Sequence, residues 1–293
     1  MNNASLHRFG IVGTGRVAQA LALAVAPHSI APPLLWGRTP GNAITAAKRT
    51  GAATAANIDR LQEESDIVAI AVADDALAGV IANMAAARPT GRLPFIFHVS
   101  GRSGALVLEP LRHAGALTAA IHPAMTFTGD PQGEARRMAG ARFAITGSTI
   151  DASDRAKRIV GLLGGIALEI AEEKRALYHA ALCHASNHLV TLIAGAAGAL
   201  HDAGIDDPPA LLAPLVSAAL ENSLSHGFAG LSGPLLRGDA QTIGEHLDTL
   251  RANSPAVLSA YRAMARATVE ELKRSETLPS ARLTALDSLL AVP

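Results

Sequence analysis

The chain has a single cysteine, Cys183, in 293 residues. No internal disulfide can form, and a lone thiol fits a reducing compartment. Aromatic residues are also scarce, at 3%. The apolar 49% is therefore carried by Ala, Leu, Val and Ile. That composition disfavours an aromatic-rich β-sandwich and suits close helix packing and buried parallel strands. Neither sign of charge is in excess, with 25 Lys and Arg against 25 Asp and Glu. The balance gives no support to a nucleic-acid or anionic-membrane partner. The first residues, MNNASLHRFG, lack the basic-then-apolar order of a secretory signal. Apolar runs such as DIVAIAVADDAL stop short of the roughly 20 residues that a membrane span needs. The run LVTLIAGAAGAL (189–200) is bracketed by His188 and by His201-Asp202, and it reads as a buried helix. These absences predict a soluble, cytoplasmic protein with neither nucleic acid nor membrane as partner.

What is present is length enough for two domains. In the first half, short apolar runs alternate with helical patterns. Strands are expected at 8–15, 32–39, AATAANI (52–58), 66–77, 93–101, 116–127, 142–147 and 165–171. Helices are expected at 16–26, 40–51 (closed by Gly51) and 151–163. Alternating strands and helices, with strands apolar on both faces, predict an α/β fold with a doubly wound parallel sheet. After Glu172 the strand-like stretches stop. Helices are expected at 172–204, 208–227, 239–251 (Asp239 as N-cap), 254–274 (Ser254 as cap, Pro255 first) and 280–290. The reading is a nucleotide-binding domain over 1–171 and an all-α domain over 172–293.

Gly13-Thr14-Gly15-Arg16-Val17-Ala18 is a GxGxxA fingerprint. It follows a strand and opens a helix, the context that gives such a pattern weight. Gly13 permits a tight turn, Gly15 lets a pyrophosphate approach the backbone, and the helix N-terminus supplies amide donors. The competing reading is a glycine turn that binds nothing. The second strand ends Trp36-Gly37-Arg38-Thr39, without the carboxylate that accepts from the ribose 2′-OH of NAD. An arginine stands there instead, matched to a 2′-phosphate, so NADP is favoured over NAD. Arg16 is placed either to touch the phosphates or to face water.

Further loops follow strand ends, where open α/β sheets bind ligands. Ala73-Asp74-Asp75 follows the fourth strand, and the aspartates also suit capping of the next helix. His98-Val99-Ser100-Gly101 ends the fifth, with Ser100 and Gly101 expected near a nicotinamide. His122 ends the sixth, either as a substrate contact or as a buried structural histidine.

The segment LYHAALCHASNHLV (177–190) holds three of the 11 histidines. On a helix turning about 100° per residue, Cys183, Ser186 and Asn187 lie within roughly 80° of His179. His184 and His188 lie about 140° and 180° away, so the three histidines cannot converge on one ion. A zinc site needs at least three protein ligands, and neither HExxH nor CxxC occurs, so no metal is expected. The His/Cys/Ser/Asn stripe requires hydrogen-bond partners if buried, which a ligand cleft would supply. Ordinary core packing is the competing reading. Arg237, in Arg237-Gly238-Asp239, is placed to bind a substrate carboxylate or to form a salt bridge with Asp239 or another acid.

The fingerprint, Arg38-Thr39, HVSG (98–101), IHPAMTF (121–127), LYHAALCHASN (177–187) and SGPLLRGD (232–239) together resemble a family of Rossmann-like proteins with a C-terminal DUF2520 domain. The resemblance covers nearly the whole chain. It extends in architecture to pyrroline-5-carboxylate reductases, ketopantoate reductases and β-hydroxyacid dehydrogenases, with a helical domain of the 6-phosphogluconate dehydrogenase C-terminal type. It implies a nicotinamide cofactor, a small-molecule substrate and a homodimer formed through the helical domain. In ketopantoate reductases a proton-donating lysine lies two turns before an asparagine. His179 precedes Asn187 by eight residues, a spacing that resembles that pair and implies His179 as proton donor and Asn187 as holder of a substrate oxygen. The substitution of His for Lys leaves the substrate open. Ser100, His122, Cys183 and Arg237 are the expected substrate contacts. Gly13, Thr14, Gly15, Arg16, Val17, Arg38, Thr39, Ala73, Ser100 and Gly101 are the expected cofactor contacts. The expected activity is NADPH-dependent reduction of a C=O or C=N bond in a small keto or imino acid. The alternative is a non-catalytic NADP(H)-binding regulator or scaffold.

Overall fold

The computed structural model describes residues 7–87 and 93–291. Most of the N-terminal stretch read for a signal lies outside them. The chain forms two compact units, 1–182 and 183–293.

The first unit is built on β1 (Phe9–Val12), β2 (Leu34–Trp36), β3 (Ala53–Thr54), β4 (Ile67–Ile70), β5 (Phe95–His98), β6 (Thr118–Pro123), β7 (Arg142–Gly147) and β8 (Ile166–Glu169). Its helices are α1 (Arg16–Val25), α2 (Pro40–Thr50), α3 (Ile58–Glu63), α4 (Asp74–Ala86), α5 (Glu109–His113), α6 (Pro131–Met138) and α7 (Ile150–Leu162). The strands form one sheet in the order β3-β2-β1-β4-β5-β6-β7-β8. Strands β1 to β6 pair in parallel, as both-face burial predicts. β7 departs from the expected all-parallel sheet by pairing antiparallel to β6, and β8 then runs parallel to β7.

Period-two alternation divides the core into two layers. Phe9 and Ile11 of β1, Ile67 and Ala69 of β4, and Phe95 and Phe97 of β5 point to one face, where α1 and α7 pack. Val12, Val68, Ile70 and Ile96 point to the other and meet Leu61 of α3 and Leu77 and Ile81 of α4. Each fully buried Ile, Leu or Phe contributes about 1.5–3 kcal/mol. His98 and His122 fall in phase with this second face.

Four local differences have physical causes. The fourth strand ends at Ile70 rather than Leu77, because Asp74 and Asp75 occupy the first turn of α4. There they favour the positive end of the helix dipole, while Ala73 takes the cap position. α3, α5 and α6 were not expected, being short and weakly periodic. Each starts from a local signal: Asn57 accepts from Arg60 N–H, Pro110 lies in the first turn of α5, and Asp130 accepts from Gly133 N–H. Gly51 closes α2 as expected, with φ +72°.

A 3-10 turn at Glu172–Lys174 leads into α8 (Arg175–Asp202), and the division between units falls inside that helix. Among the described residues, Glu172–Asp202 is the one helix long and apolar enough to cross a membrane by length and composition. The 189–200 run is helical as expected but not buried: Arg175 is the one buried residue of α8.

The second unit contains the remainder of α8, with α9 (Pro208–His226), α10 (Pro234–Arg237), α11 (Ala240–Asn253), α12 (Pro255–Arg274) and α13 (Ser280–Ala291). α11, α12 and α13 pack around Ile243, Leu247, Ala265, Val269, Leu286 and Leu290. Asp239 caps α11 as expected, accepting from Thr242 N–H at 3.1 Å and from the Thr242 hydroxyl at 2.7 Å. Ser254 stands at the cap of α12 but makes no side-chain capping bond there. Within this unit α8 and α9 leave Val190, Leu192, Leu211, Leu215, Leu220 and Leu224 exposed.

Candidate active site

The carboxyl ends of β1, β2, β4, β5 and β6 carry the predicted loops. Gly13 donates to the Trp36 carbonyl at 2.8 Å, which ties the fingerprint turn to β2. Its φ is +131°, and a Cβ there would lie 2.1 Å from the Ala71 carbonyl oxygen. Only glycine fits such a position. Gly15 stands at the N-cap of α1 without a side-chain cap, and a Cβ on it would meet nothing within 4 Å. The first turn of α1 thus lacks a side-chain cap and has open space beside Gly15, a cradle of the form a pyrophosphate takes.

Around the turn, Gln19 Nε2 donates to the Thr14 carbonyl at 2.9 Å, and the Thr14 methyl packs where a Cβ of Gly37 would lie. Arg16 is exposed, as one of its two expected readings has it. Its Nη1 donates to the Phe127 carbonyl at 3.2 Å, in the loop between β6 and α6. Arg49 holds the same loop through the Gly129 carbonyl at 2.7 Å. Buried Glu134 closes it from below, accepting from the Thr128 and Gly129 amides at 2.5 and 2.8 Å. Arg38 and Thr39 are exposed directly after β2. Thr39 precedes α2 without a side-chain capping bond.

The β5 loop is shaped by the histidine that ends the strand. His98 is fully buried, and its Nδ1 accepts from the Ser100 amide at 3.1 Å. An amide can only donate, so Nδ1 carries no proton. Nε2 therefore carries it and donates to the Gly104 carbonyl at 2.8 Å. One neutral imidazole thus braces both ends of the loop that holds Ser100 and Gly101. Burial pushes the His98 pKa down to about 4, and the nearby Arg175 cation lowers it further against the Gly104 bond. Ser100 Oγ accepts from the Ser103 amide at 3.3 Å.

Gly101 meets two histidines. A Cβ on it would lie 2.5 Å from His179 Cδ2 and 2.9 Å from His122 Nε2. The His122 and His179 rings stand edge to face with centroids 6.1 Å apart. His122 Nδ1 is 2.9 Å from the Tyr178 hydroxyl. Burial pushes the His122 pKa down to about 4, assisted by the Arg175 and His179 charges. Burial raises that of Tyr178. Ser100, Gly101, His122, Tyr178 and His179 are thus one neighbourhood of the first unit.

Arg175 lies behind it, 1% exposed. Its Nε donates to Thr146 Oγ1 at 2.8 Å, and its Nη2 donates to the carbonyls of Ala144 and Ala120 at 3.1 and 3.4 Å. Burial lowers its pKa. No motif flagged Arg175. The available signal was an arginine on a helix otherwise rich in Ala and Leu.

The remaining predicted residues belong to the second unit. Cys183 is half-buried, and Asn187 is exposed and accepts from the Ser186 hydroxyl at 3.2 Å. Arg237 is exposed and forms no ion pair with Asp239, whose oxygens are taken by the α11 cap. His184 and His188 bond each other through their Nδ1 atoms at 2.9 Å. Among the described residues no group of three or more metal-ligating side chains occurs. Two cavities of the first unit, of about 770 and 1030 Å³, contain none of the predicted residues. The larger lies at the amino ends of the strands, beside Arg8, Asp66 and Pro94.

The family matches divide the chain earlier than the two units do, with the second match beginning just before β7. Residues 1–123 match the Rossmann-like domain family, and residues 141–268 match the domain of unknown function DUF2520. No curated protein matches the chain. Among solved structures, a provisionally named NADP oxidoreductase of Bacteroides fragilis, BF3122, is similar at 21% identity and TM-score 0.76, over 91% of this chain and 99% of that one. A reductive aminase of Aspergillus terreus, in complex with NADPH and ethyl-5-oxohexanoate, is similar at 18% identity and TM-score 0.66, over 97% and 99%. A pyrroline carboxylate reductase of Plasmodium falciparum, with NADP bound, is similar at 15% identity and TM-score 0.60, over 97% and 98%. At these identities the likeness is one of fold.

Proposed function

We propose that this chain, a Rossmann-like domain followed by a DUF2520 domain, is an NADPH-dependent oxidoreductase that reduces a C=O or C=N bond in a small keto or imino acid. The observation that carries the reading is the packing of Gly101 against His179 and His122 on the sheet edge that also carries the Gly13–Gly15 turn. Open sheets of this kind bind dinucleotides along that edge.

The residues fit the cofactor. Gly13 and Gly15 leave the backbone bare, the first amides of α1 are uncapped, and exposed Arg38 follows β2 without a hydrogen-bond or ion-pair partner among the described residues. In this reading the α1 amides, with Thr14 and Val17, hold the pyrophosphate. Arg38 and Thr39 hold the 2′-phosphate, and Ala73, Ser100 and Gly101 border the nicotinamide. A bound reduced nicotinamide supplies a hydride. His179 gives the proton to the substrate heteroatom, and Ser100 and His122 orient it. Arg16 borders the same turn while it holds the β6–α6 loop through Phe127, and its contact with the phosphates is a proposal drawn from the sequence. The substrate roles of Asn187, Cys183 and Arg237 are proposals drawn from the sequence. The three structural neighbours support the cofactor class, since two are complexes with NADP or NADPH.

The exposed apolar residues of α8 and α9 support a homodimer formed through the helical domain, since contiguous apolar surface marks association sites. Light scattering should then give twice the chain mass, and a monomer at micromolar concentration would contradict it. A cytoplasmic location accords with the lone cysteine and remains part of the proposal. The reductase reading is tested by titrating NADPH by fluorescence and then offering a panel of keto and imino acids, following loss of NADPH absorbance.

A further inference from the structure

Tyr178 and His122 form a pair whose chemistry reaches beyond substrate contact. The phenol oxygen lies 2.9 Å from His122 Nδ1, with the rings edge to face at 85°. Two arrangements of protons fit that distance. A phenol O–H is the more acidic donor and an imidazole nitrogen the stronger base, so the stronger bond has Tyr178 donating to Nδ1. The imidazole proton then sits on Nε2. That atom faces Gly101, 2.9 Å from where a Cβ would stand, and makes no hydrogen bond to a described residue.

We propose that His122 is a catalytic residue that stays neutral and donates a hydrogen bond from Nε2–H to the reacting oxygen, and that Tyr178 is the positioning residue that fixes this tautomer. The proposal rests on the reductase reading. Burial and Arg175 oppose a charged imidazole here, which agrees with a neutral donor. A neutral Nε2–H polarises a carbonyl without giving up its proton. In the reduction, the C=O π bond breaks as the carbon gains the hydride and the nicotinamide is oxidised. The oxygen takes a proton from His179, and His122 keeps its own. Such a donor needs a lone pair on its target. A carbonyl oxygen has one, whereas a protonated iminium nitrogen has none, so the arrangement favours keto acids over iminium substrates.

Nuclear magnetic resonance of protein labelled with ¹⁵N-histidine reads the tautomer directly, without turnover. The wild type should show His122 protonated at Nε2 alone, and Tyr178→Phe should convert it to a mixture. Kinetics then separate positioning from structure. Tyr178→Phe should lower kcat by about tenfold or more while the NADPH affinity stays within about twofold. His122→Gln retains an N–H donor and should lose less than His122→Leu. Nδ1 protonation in the wild type would overturn the assignment of Tyr178. So would an unchanged tautomer and kcat in Tyr178→Phe. Reduction of imino acids alone would overturn the assigned donor role. A protein that binds NADPH but reduces nothing would refute the reductase reading and the catalytic role with it, whereas the tautomer result would still report on Tyr178.

Discussion

His98 makes the protein's stability depend on pH in a calculable way. Its pKa is about 4 in the folded chain against an ordinary 6.5. Between these values the unfolded chain binds the extra proton and the folded chain does not, so stability rises with pH across that window. It is fully present above about 6.5 and is lost as pH falls toward 4. At pH 5 the unfolded imidazole is almost wholly protonated and the folded one hardly at all. Lowering the pH from 7.5 to 5.0 should therefore cost about 2 kcal/mol through His98 alone. The structural cause is specific: protonation of Nδ1 removes the acceptor of the Ser100 amide inside a fully buried site. Urea unfolding of the wild type and of His98→Asn at both pH values isolates the effect. The variant keeps an oxygen for the Ser100 amide but does not titrate. It should be less stable at pH 7.5, through loss of the Gly104 bond, and should lose about 2 kcal/mol less on acidification. Equal losses in the two proteins would refute the reasoning.

Three further outcomes follow from the sheet edge. Gly13→Ala places a Cβ against the Ala71 carbonyl at positive φ, so it should cost on the order of 3 kcal/mol and abolish NADPH binding, as read by urea unfolding and fluorescence titration. Wild-type values for both would remove the steric argument. Arg38→Ala should weaken NADPH binding by roughly 10–100-fold and leave NADH binding unchanged, whereas equal losses would refute the 2′-phosphate role. Gly101→Ala should force the His122 and His179 rings back by on the order of 0.5–1 Å, lowering turnover by about 100-fold with NADPH affinity retained. Turnover equal to wild type would show that the ring positions do not matter.

The fold was legible where local pattern and burial agree. FGIV, IVAI and FIFH are apolar on both faces, and parallel central strands demand that. The antiparallel turn at β7 was not legible, because RFAITG reads alike in either direction and only its partner decides. The end of β4 was misjudged because VADDAL is apolar enough to extend a strand, whereas Asp74 and Asp75 gain more at a helix N-terminus. At the site, His179, His122 and Gly101 stood out as residue types beside strand ends and on one helix face. Arg175 and Tyr178 act through contacts 29 and 56 residues away, to Thr146 and His122, and no local pattern encodes such contacts. His98 is hidden for a different reason. Its bonds span only six residues, yet its role depends on burial that a strand-terminal histidine does not announce.

The central claim is that the histidine neighbourhood beside Gly101 completes a reductase site. Single-turnover mixing of the NADPH-loaded protein with a panel of small keto and imino acids tests it most directly. The account predicts stoichiometric loss of NADPH absorbance with at least one keto acid, slowed by His179→Ala without loss of NADPH binding. Tight NADPH binding with no loss of absorbance across the panel would contradict it and point to a protein that senses the nucleotide without consuming it.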